Sequence, residues 1–220
     1  MDVKIVEARP DHAGFLAWVT LTAFRSHLER GFWDILLGRS EEERLRFLEA
    51  LVTSSEVHWV HQSITIVAEV EGRPVSALSG YFEEEHGGGR LAAGMDEAGQ
   101  LLGWTDEERA DGWQRAGSII SVVPEHVPGA WIVENVATLP GFRRKGLVDR
   151  LMEEILQRGR TRGATVSDIS VFIGNDPAQR AYEKAGFEVI GEKRNPDFEA
   201  AYKTPGVRTL RRPLYDAGAK

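Results

Sequence analysis

The sequence contains no cysteine, which excludes disulfide bonds, a thiolate nucleophile and cysteine-ligated zinc. Long apolar runs are also missing, since none approaches the roughly 18 residues that cross a membrane. The first residues, MDVKIVEARPDH, lack the basic and apolar segments of a signal peptide. We therefore expect a cytoplasmic protein with no membrane partner.

Basic residues are in short supply. Lysine and arginine number 27 against 34 aspartates and glutamates, and the formal net charge is -7. Nucleic-acid binding needs a basic face, and RNA recognition often uses aromatic residues on a basic strand. No nucleic-acid partner is therefore expected, and any anion site must be local. His58 and His61 lie close in sequence without a third ligand, so no metal site is expected either.

The chain alternates strand-like and helix-like segments. Ser40 and Glu43 form a capping box that begins one helix, and Asp176 and Gly186 are the expected N-cap and C-terminal stop of another. This alternation is α/β organisation. The pattern predicts strands at 3–8, 131–138, 165–173, 187–192 and 207–214, a hairpin over 63–82, and helices over 10–28, 40–52 and 177–185, with one more after Gly146.

A cluster of cations stands out in the stretch TLPGFRRKGLVDRL, residues 138–151. Adjacent cations repel one another, so Arg143, Arg144 and Lys145 favour a nearby anion. They precede Gly146 and a helix start, where unpaired N–H groups and the helix dipole also favour an anion such as phosphate. Glycine lets a pyrophosphate approach the main chain closely. A P-loop is excluded because its lysine and hydroxyl residue are missing.

A second motif is NDPAQRAYEKAGF, residues 175–187. Together with RRKGLV it resembles the GNAT superfamily of N-acetyltransferases, whose Arg/Gln-x-x-Gly-x-Gly/Ala turn holds the pyrophosphate of acetyl-coenzyme A. That family also carries Asn-x-x-Ala-x-x-x-Tyr-x-x-x-Gly-Phe further along the chain. One departure is Val148, which stands where the family has Gly or Ala and whose branched side chain could crowd the coenzyme. The second pattern is matched at every spacing by Asn175, Ala178, Tyr182, Gly186 and Phe187.

The resemblance implies a mixed, largely antiparallel sheet, flanked by helices, whose central parallel strand pair is splayed to hold coenzyme A. It implies that acetyl-coenzyme A is the co-substrate. Asn175 would contact the pantetheine arm or hold the split between the strands, and Tyr182 would lie beside the sulfur. The strand edge at Val136, Ala137 and Thr138 would pair with the pantetheine amides. The pyrophosphate would lie on the turn formed by Arg143, Arg144, Lys145, Gly146, Leu147 and Val148.

Acetyl transfer to an amine needs a neutral amine, a stabilised oxyanion and a proton for the departing thiolate. The resemblance makes Tyr182 the proton donor; alternatively it is only a core aromatic residue. Glu134 is the candidate base, because residues two apart on a strand share a face and it lies two before Val136. It could equally be a surface carboxylate or the partner of an arginine.

The function that the resemblance implies is transfer of an acetyl group from acetyl-coenzyme A to a primary amine of a small molecule or peptide. A catalytically silent module that binds acetyl-coenzyme A as a sensor, or that supports a complex, is the alternative. Turnover of any amine would separate the two.

Residues 83–129 interrupt the regular pattern. EEEHGGG cannot continue a strand, while Thr105 and Glu108 predict one short helix. We interpret the chain as a single domain over 1–220 with an excursion at about 83–129, which either covers the acceptor side of the site or forms a homodimer contact. Trp104 and Trp113 would line that site or anchor the segment. A cationic acceptor is favoured if the acidic residues face the cleft: Asp106, Glu107, Glu108 and Asp111.

Overall fold

The computed structural model describes residues 2–215. Within them, seven strands form one sheet in the order β1-β2-β3-β4-β5-β7-β6, and no helix is long and apolar enough to cross a membrane. The strands are β1 (Val3–Glu7), β2 (Thr65–Val70), β3 (Arg73–Phe82), β4 (Trp131–Thr138), β5 (Val166–Phe172), β6 (Glu188–Arg194) and β7 (Gly206–Pro213). The helices are α1 (Ala13–Arg25), α2 (Phe32–Leu37), α3 (Glu41–Val52), α4 (Glu83–His86), α5 (Gly88–Leu101), α6 (Asp106–Ala116), α7 (Leu147–Thr161), α8 (Asp176–Lys184) and α9 (Pro196–Tyr202).

The sheet is antiparallel except at its centre, where β4 and β5 run parallel. Their pairing extends only from Trp131 opposite Ser167 to Val133 opposite Ile169. Beyond that point both strands continue without pairing to each other. The expected mixed, largely antiparallel sheet with a splayed parallel pair is therefore confirmed.

Helices cover both faces of the sheet. On one face α7 presents Leu151 and Ile155, which are four residues apart on one side of the helix, to Val133 of β4 and Leu78 of β3. On the opposite face α1 packs Leu16 and other apolar residues against β2, β3 and β4. A third apolar cluster unites α2, α3, α5 and α9 beyond the α1 side of the sheet.

Local sequence signals predict several of these elements correctly. The hairpin turn has left-handed Glu71 and Gly72, with φ of 53° and 74°, which suits the right-handed twist of paired strands. The capping box is present, because the Ser40 Oγ accepts a hydrogen bond from the Glu43 N–H at 3.3 Å. The cap of α8 is a correction: Asn175, one residue before Asp176, accepts from the N–H of Ala178 at 3.3 Å.

Four of the described helices, α2, α4, α5 and α9, were not expected. In α5 the glycines hide the pattern, since glycine is a poor helix former. A Cβ at Gly94 would stand 2.6 Å from the His58 ring, so this glycine permits close helix packing. The excursion therefore contains α4 and α5 as well as the expected α6.

A buried carboxylate fixes α2. Asp34 accepts hydrogen bonds from Arg25 Nε at 2.9 Å and Nη2 at 2.8 Å, and from the N–H of Gly31 at 2.9 Å. Arg44 approaches it to 3.2 Å from α3. Buried charge is tolerated only when it is paired and hydrogen-bonded in this way. These contacts join α1, α2 and α3, and they hold Phe32 against Phe24 of α1, with ring centroids 5.8 Å apart.

Candidate active site

A cavity of about 740 Å³ opens where β4 and β5 part. The parts of β4 and β5 that do not pair with each other form its floor, from Glu134 to Thr138 and from Ser170 to Phe172. α8 contributes one wall, and α1, α2 and the excursion contribute the other. A cleft between splayed strands offers free main-chain groups, which a ligand with amides can use as an added strand does.

A β-bulge in β4 shapes this floor. Asn135 and Val136 together stand opposite Leu78 of β3, where a regular ladder has one residue. Asn135 has a left-handed φ of 55°, a conformation that asparagine tolerates better than most residues. Its Nδ2 donates to the main-chain oxygen of Trp59 at 3.2 Å and to Ser79 Oγ at 3.0 Å. These bonds hold the bulge in place.

The bulge corrects one sequence-based inference about Glu134. Val133 and Val136 pack in the same cluster as Leu151 of α7, although residues three apart on a regular strand face opposite ways. The extra residue thus turns Val136 to the α7 face, while Glu134, beside Val133, faces the other way. Glu134 and Val136 therefore do not share a strand face, but both border the cavity because the strands have parted.

The basic turn lies at one end of the cleft. Gly146 has a φ of 75° and is the N-cap of α7; a Cβ added there would meet no protein atom within 4 Å. Arg143 Nε donates to the main-chain oxygen of Thr138 at 3.1 Å, which ties the turn to β4. Among the described residues, Arg143, Arg144 and Lys145 form no salt bridge, and all three are exposed.

The start of α7 completes an anion site. Within residues 2–215, the N–H groups of Gly146, Leu147 and Val148 donate to no protein acceptor, as expected for a first helical turn. Unpaired N–H groups, cations that have no carboxylate partner among the described residues, and open space beside a glycine fit a pyrophosphate. Val148 is half-buried and borders the cavity, so its side chain faces the space a coenzyme would use.

Asn175 spans the mouth of the cavity. Its Nδ2 donates to Ser26 Oγ at 2.6 Å, just after α1, while its Oδ1 caps α8. The amide therefore links the end of α1 to the start of α8, and its expected role toward the pantetheine arm or the split between the strands stays a prediction. Further along α8, Ala178, Ala181 and Tyr182 border the cavity.

Two titratable side chains, Glu134 and Tyr182, border the cavity. Burial raises the pKa of Glu134 to about 7, against opposing effects of His126 and Tyr81. One carboxylate oxygen of Glu134, Oε2, is buried with no protein partner among the described residues. Burial, followed by the negative charge of Glu134, raises the pKa of the Tyr182 hydroxyl far above its ordinary value. Glu134 can thus gain or lose a proton near neutral pH, whereas Tyr182 stays protonated.

A set of charged residues that the sequence did not reveal lies beside Glu134. His126 Nδ1 is 2.9 Å from Oδ2 of Asp168 on β5, and Arg211 on β7 donates to the same carboxylate at 2.7 and 2.8 Å. Asp168 is 0% exposed. Although burial alone raises the pKa of Asp168, its bonds to Arg211 and His126 bring it below the usual value. His126 borders the cavity.

The excursion divides into an anchoring part and a cavity-lining part. Trp104 stacks on Phe47 with ring centroids 4.7 Å apart, so it anchors the segment, whereas Trp113 borders the cavity. The acidic residues of α6 do not support a cationic acceptor, because all are exposed and none borders the cavity. Glu108 pairs with Arg39, and Asp106 with Arg109. Glu107 and Asp111 form no salt bridge within the part of the chain that the structure describes.

His58 and His61 lie in the loop before β2 rather than on a helix. His58 Nε2 is 3.0 Å from Ser54 Oγ, and His61 Nδ1 is 2.8 Å from Ser63 Oγ. Across residues 2–215, no three His, Asp or Glu side chains are grouped so as to hold a metal ion. The two histidines are buried hydrogen-bonding residues.

Comparison with known proteins agrees with this geometry. A model of the acetyltransferase (GNAT) family matches residues 28–187. One solved acetyltransferase has a TM-score of 0.71 at 15% identity, covering 96% of this chain and 100% of its own. An N-acetyltransferase from Staphylococcus aureus Mu50 has a TM-score of 0.67 at 19% identity, covering 94% and 99%. No curated protein matches the sequence.

The Salmonella typhimurium protein yncA, solved with its cofactor acetyl-CoA, has a TM-score of 0.54 at 14% identity, covering 100% of this chain and 98% of its own. At these identities the structures share the fold alone. The family model, in contrast, spans most of the chain and includes both the basic turn and α8. The chain belongs to the GNAT family of acetyltransferases.

Proposed function

We propose that the protein transfers an acetyl group from acetyl-coenzyme A to a primary amine. The proposal rests on the presence of two features in the same cleft. One is the anion site at the start of α7, and the other is Glu134 with Tyr182 where β4 and β5 separate. The first suits a diphosphate, and the second suits proton transfer at neutral pH.

The coenzyme would lie along the floor of the cleft. Gly146, Leu147 and Val148 would give their N–H groups to the pyrophosphate, and the adjacent cations would neutralise its charge. The free edge of β4 over Val136 to Thr138 would hydrogen-bond to the pantetheine amides. Arg143 would also fix the position of the turn relative to β4, since it hydrogen-bonds to the main-chain oxygen of Thr138.

The chemistry then needs two proton movements. The amine nitrogen forms a bond to the thioester carbon, and Glu134 takes the proton that nitrogen loses. The bond from that carbon to sulfur breaks, and the Tyr182 hydroxyl gives its proton to the departing thiolate. A main-chain N–H at the bulge would stabilise the negative carbonyl oxygen, since Asn135 and Val136 pair with neither neighbouring strand.

An alternative function without catalysis would use several of the same residues. A chain that binds the coenzyme without turnover, as a sensor or a member of a complex, would use the same anion site. One oxygen of Glu134 has no partner among residues 2–215, which favours catalysis, because a buried acceptor without a donor costs free energy and is retained where it serves a reaction. A homodimer and a cytoplasmic location stay expectations from the sequence.

Binding of acetyl-coenzyme A tests the anion site. A ligand at a hundredfold excess over Kd should stabilise the fold by about 2.7 kcal/mol. Gly146→Glu places bulk and negative charge beside the diphosphate, so calorimetry should show Kd raised by about tenfold or more. Gly163→Glu is the matched control, because Gly163 follows α7 with a φ of 89° and equally open space. Equal affinity in the two folded variants would place the coenzyme elsewhere.

Tyr182→Phe tests the proton donor. Removing the hydroxyl while keeping the ring should lower kcat by about a hundredfold or more and leave the Kd of acetyl-coenzyme A nearly unchanged. Tyr202→Phe is the control, since the Tyr202 hydroxyl is buried but donates to the main-chain oxygen of Ala116 at 3.2 Å. That variant should lose stability and keep its kcat. A Tyr182→Phe enzyme with full kcat would reduce Tyr182 to a packing role.

Glu134→Gln tests the base through its pH dependence. The base form is the carboxylate, and the pKa of Glu134 is about 7. The ratio of wild-type to variant kcat/KM should therefore rise through about pH 7 and level off above it. Ionisation of the amine affects both proteins equally and cancels in the ratio. A ratio that does not change with pH contradicts the assignment.

A further inference from the structure

We infer that the acceptor is a small primary amine carried on an apolar body the size of an aromatic ring. The inference rests on the proposed acetyl transfer and names the substrate class of the same site. It comes from the wall of the cavity that faces Glu134 from α1, α2 and the excursion. No residue of that wall entered the chemistry above.

Aromatic side chains form a continuous surface on this wall. Phe24 lies 5.4 Å from Trp59 and 5.8 Å from Phe32, and Phe32 lies 6.1 Å from Trp113, all measured between ring centroids. All four side chains border the cavity. Stacked or tilted rings at these distances bind another ring favourably, whereas a second cation gains no carboxylate partner from them.

The wall continues to the rim, where large apolar side chains are exposed. Ile120 is 67% exposed, Val123 48% and Trp113 38%, and each also borders the cavity. Exposed apolar side chains that cluster at a cavity mark a binding site more often than chance exposure does. A bound apolar body would remove these side chains from water.

The acids in the cavity are confined to the reacting end. Glu134 and Glu83 border it, and they can accept hydrogen bonds from one amino group. The acidic residues of α6 are exposed and do not border the cavity. One amino group and one apolar body therefore match the two ends of the site.

The test compares two amines in the full-length protein with saturating acetyl-coenzyme A. The probes are 2-phenylethylamine and 1,5-diaminopentane, which replaces the ring with a second cation. We expect kcat/KM to favour 2-phenylethylamine by about tenfold or more. Ile120→Asp should raise KM for 2-phenylethylamine by about tenfold and leave that for 1,5-diaminopentane unchanged or lower. Leu101→Asp is the control, since Leu101 is 75% exposed and does not border the cavity.

Preference for 1,5-diaminopentane, or equal behaviour of the two Asp variants, overturns the inference. So does an Ile120→Asp protein that changes from dimer to monomer in sedimentation with its amine preference intact. Failure of the proposed function looks different: neither amine is acetylated although acetyl-coenzyme A binds. Calorimetry with 2-phenylethylamine then decides, and binding that Ile120→Asp weakens and Leu101→Asp does not still supports the apolar site.

The contacts of His126 with Asp168, and of Asp168 with Arg211, indicate a role for His126 in the reaction. We propose that His126 is a positioning residue, which Asp168 and Arg211 hold at the cavity that Glu134 also borders, and which passes the proton of Glu134 to solvent. The Asp168 carboxylate can only accept a hydrogen bond, so His126 must carry its proton on Nδ1. Nε2 is then free to take a proton from the direction of the cavity. Arg211 holds Asp168 at both oxygens, which fixes the ring plane of His126.

Other charged groups around Glu134 cannot take this role. Tyr81 and Tyr182 cannot accept a proton from Glu134, because burial raises the pKa of both hydroxyls and they are already protonated in the resting protein. Glu83 has the same charge as Glu134 and raises its pKa, whereas His126 lowers it. The titratable or charged groups that face this point are Tyr81 of β3, Glu83 after it, His126, Asp168 of β5, Tyr182 of α8 and Arg211 of β7.

His126→Asn should shift the inflection of kcat/KM near pH 7 upward by roughly half a unit or more, since His126 lowers the pKa of Glu134 and the variant loses that effect. It should also lower kcat, and imidazole added to the buffer should restore part of it. A merely structural role lowers activity without moving the inflection. Circular dichroism checks that the variant folds. A variant with an unmoved inflection and no imidazole rescue overturns the proposal, whereas absence of any Glu134-dependent inflection in the wild type contradicts the base assignment itself.

Discussion

The early parting of β4 and β5 is the constraint on which the site depends. Parallel strands normally continue to pair, because an unpaired main-chain group that is shielded from water costs free energy. Here the pairing stops at Val133, and the bulge at Asn135 turns the following residues of β4. Side chains from both faces of the sheet thereby reach a single space. Without the gap, Glu134 and Tyr182 would be separated by the sheet.

Two carboxylates near this gap illustrate how local partners set charge. Asp168 is buried but receives donors from an arginine and a histidine, and it stays ionised. Glu134 has fewer hydrogen-bond donors around it, and one of its oxygens has no partner among the described residues. Its pKa rises toward neutrality as a result. Of the two carboxylates, Asp168 is thus a fixed anion and Glu134 a proton acceptor. Different surroundings commonly give neighbouring carboxylates different acid and base roles in this way.

How much of this the sequence could predict depends on how local each signal is. The turn before α7 and the pattern from Asn175 to Phe187 lie in short, continuous stretches, so their composition identifies them. The bulge has no comparable signal, because Asn135 sits in a run that looks like an ordinary strand. His126 and Asp168 are 42 residues apart, and Asp168 and Arg211 are 43 apart. Only the folded sheet brings them together.

The position of β7 has a consequence for folding during synthesis. It is the last strand of the described chain, yet it lies between β5 and β6 in the sheet. A nascent chain that has just completed β6 therefore offers that strand no neighbour, and its Asp168 has no Arg211. The pairing of β6 and the Asp168–Arg211 contact both require β7, so neither can form until the chain has been synthesised through that strand. Such late, long-range pairing slows folding and leaves β-strand edges exposed to aggregation meanwhile.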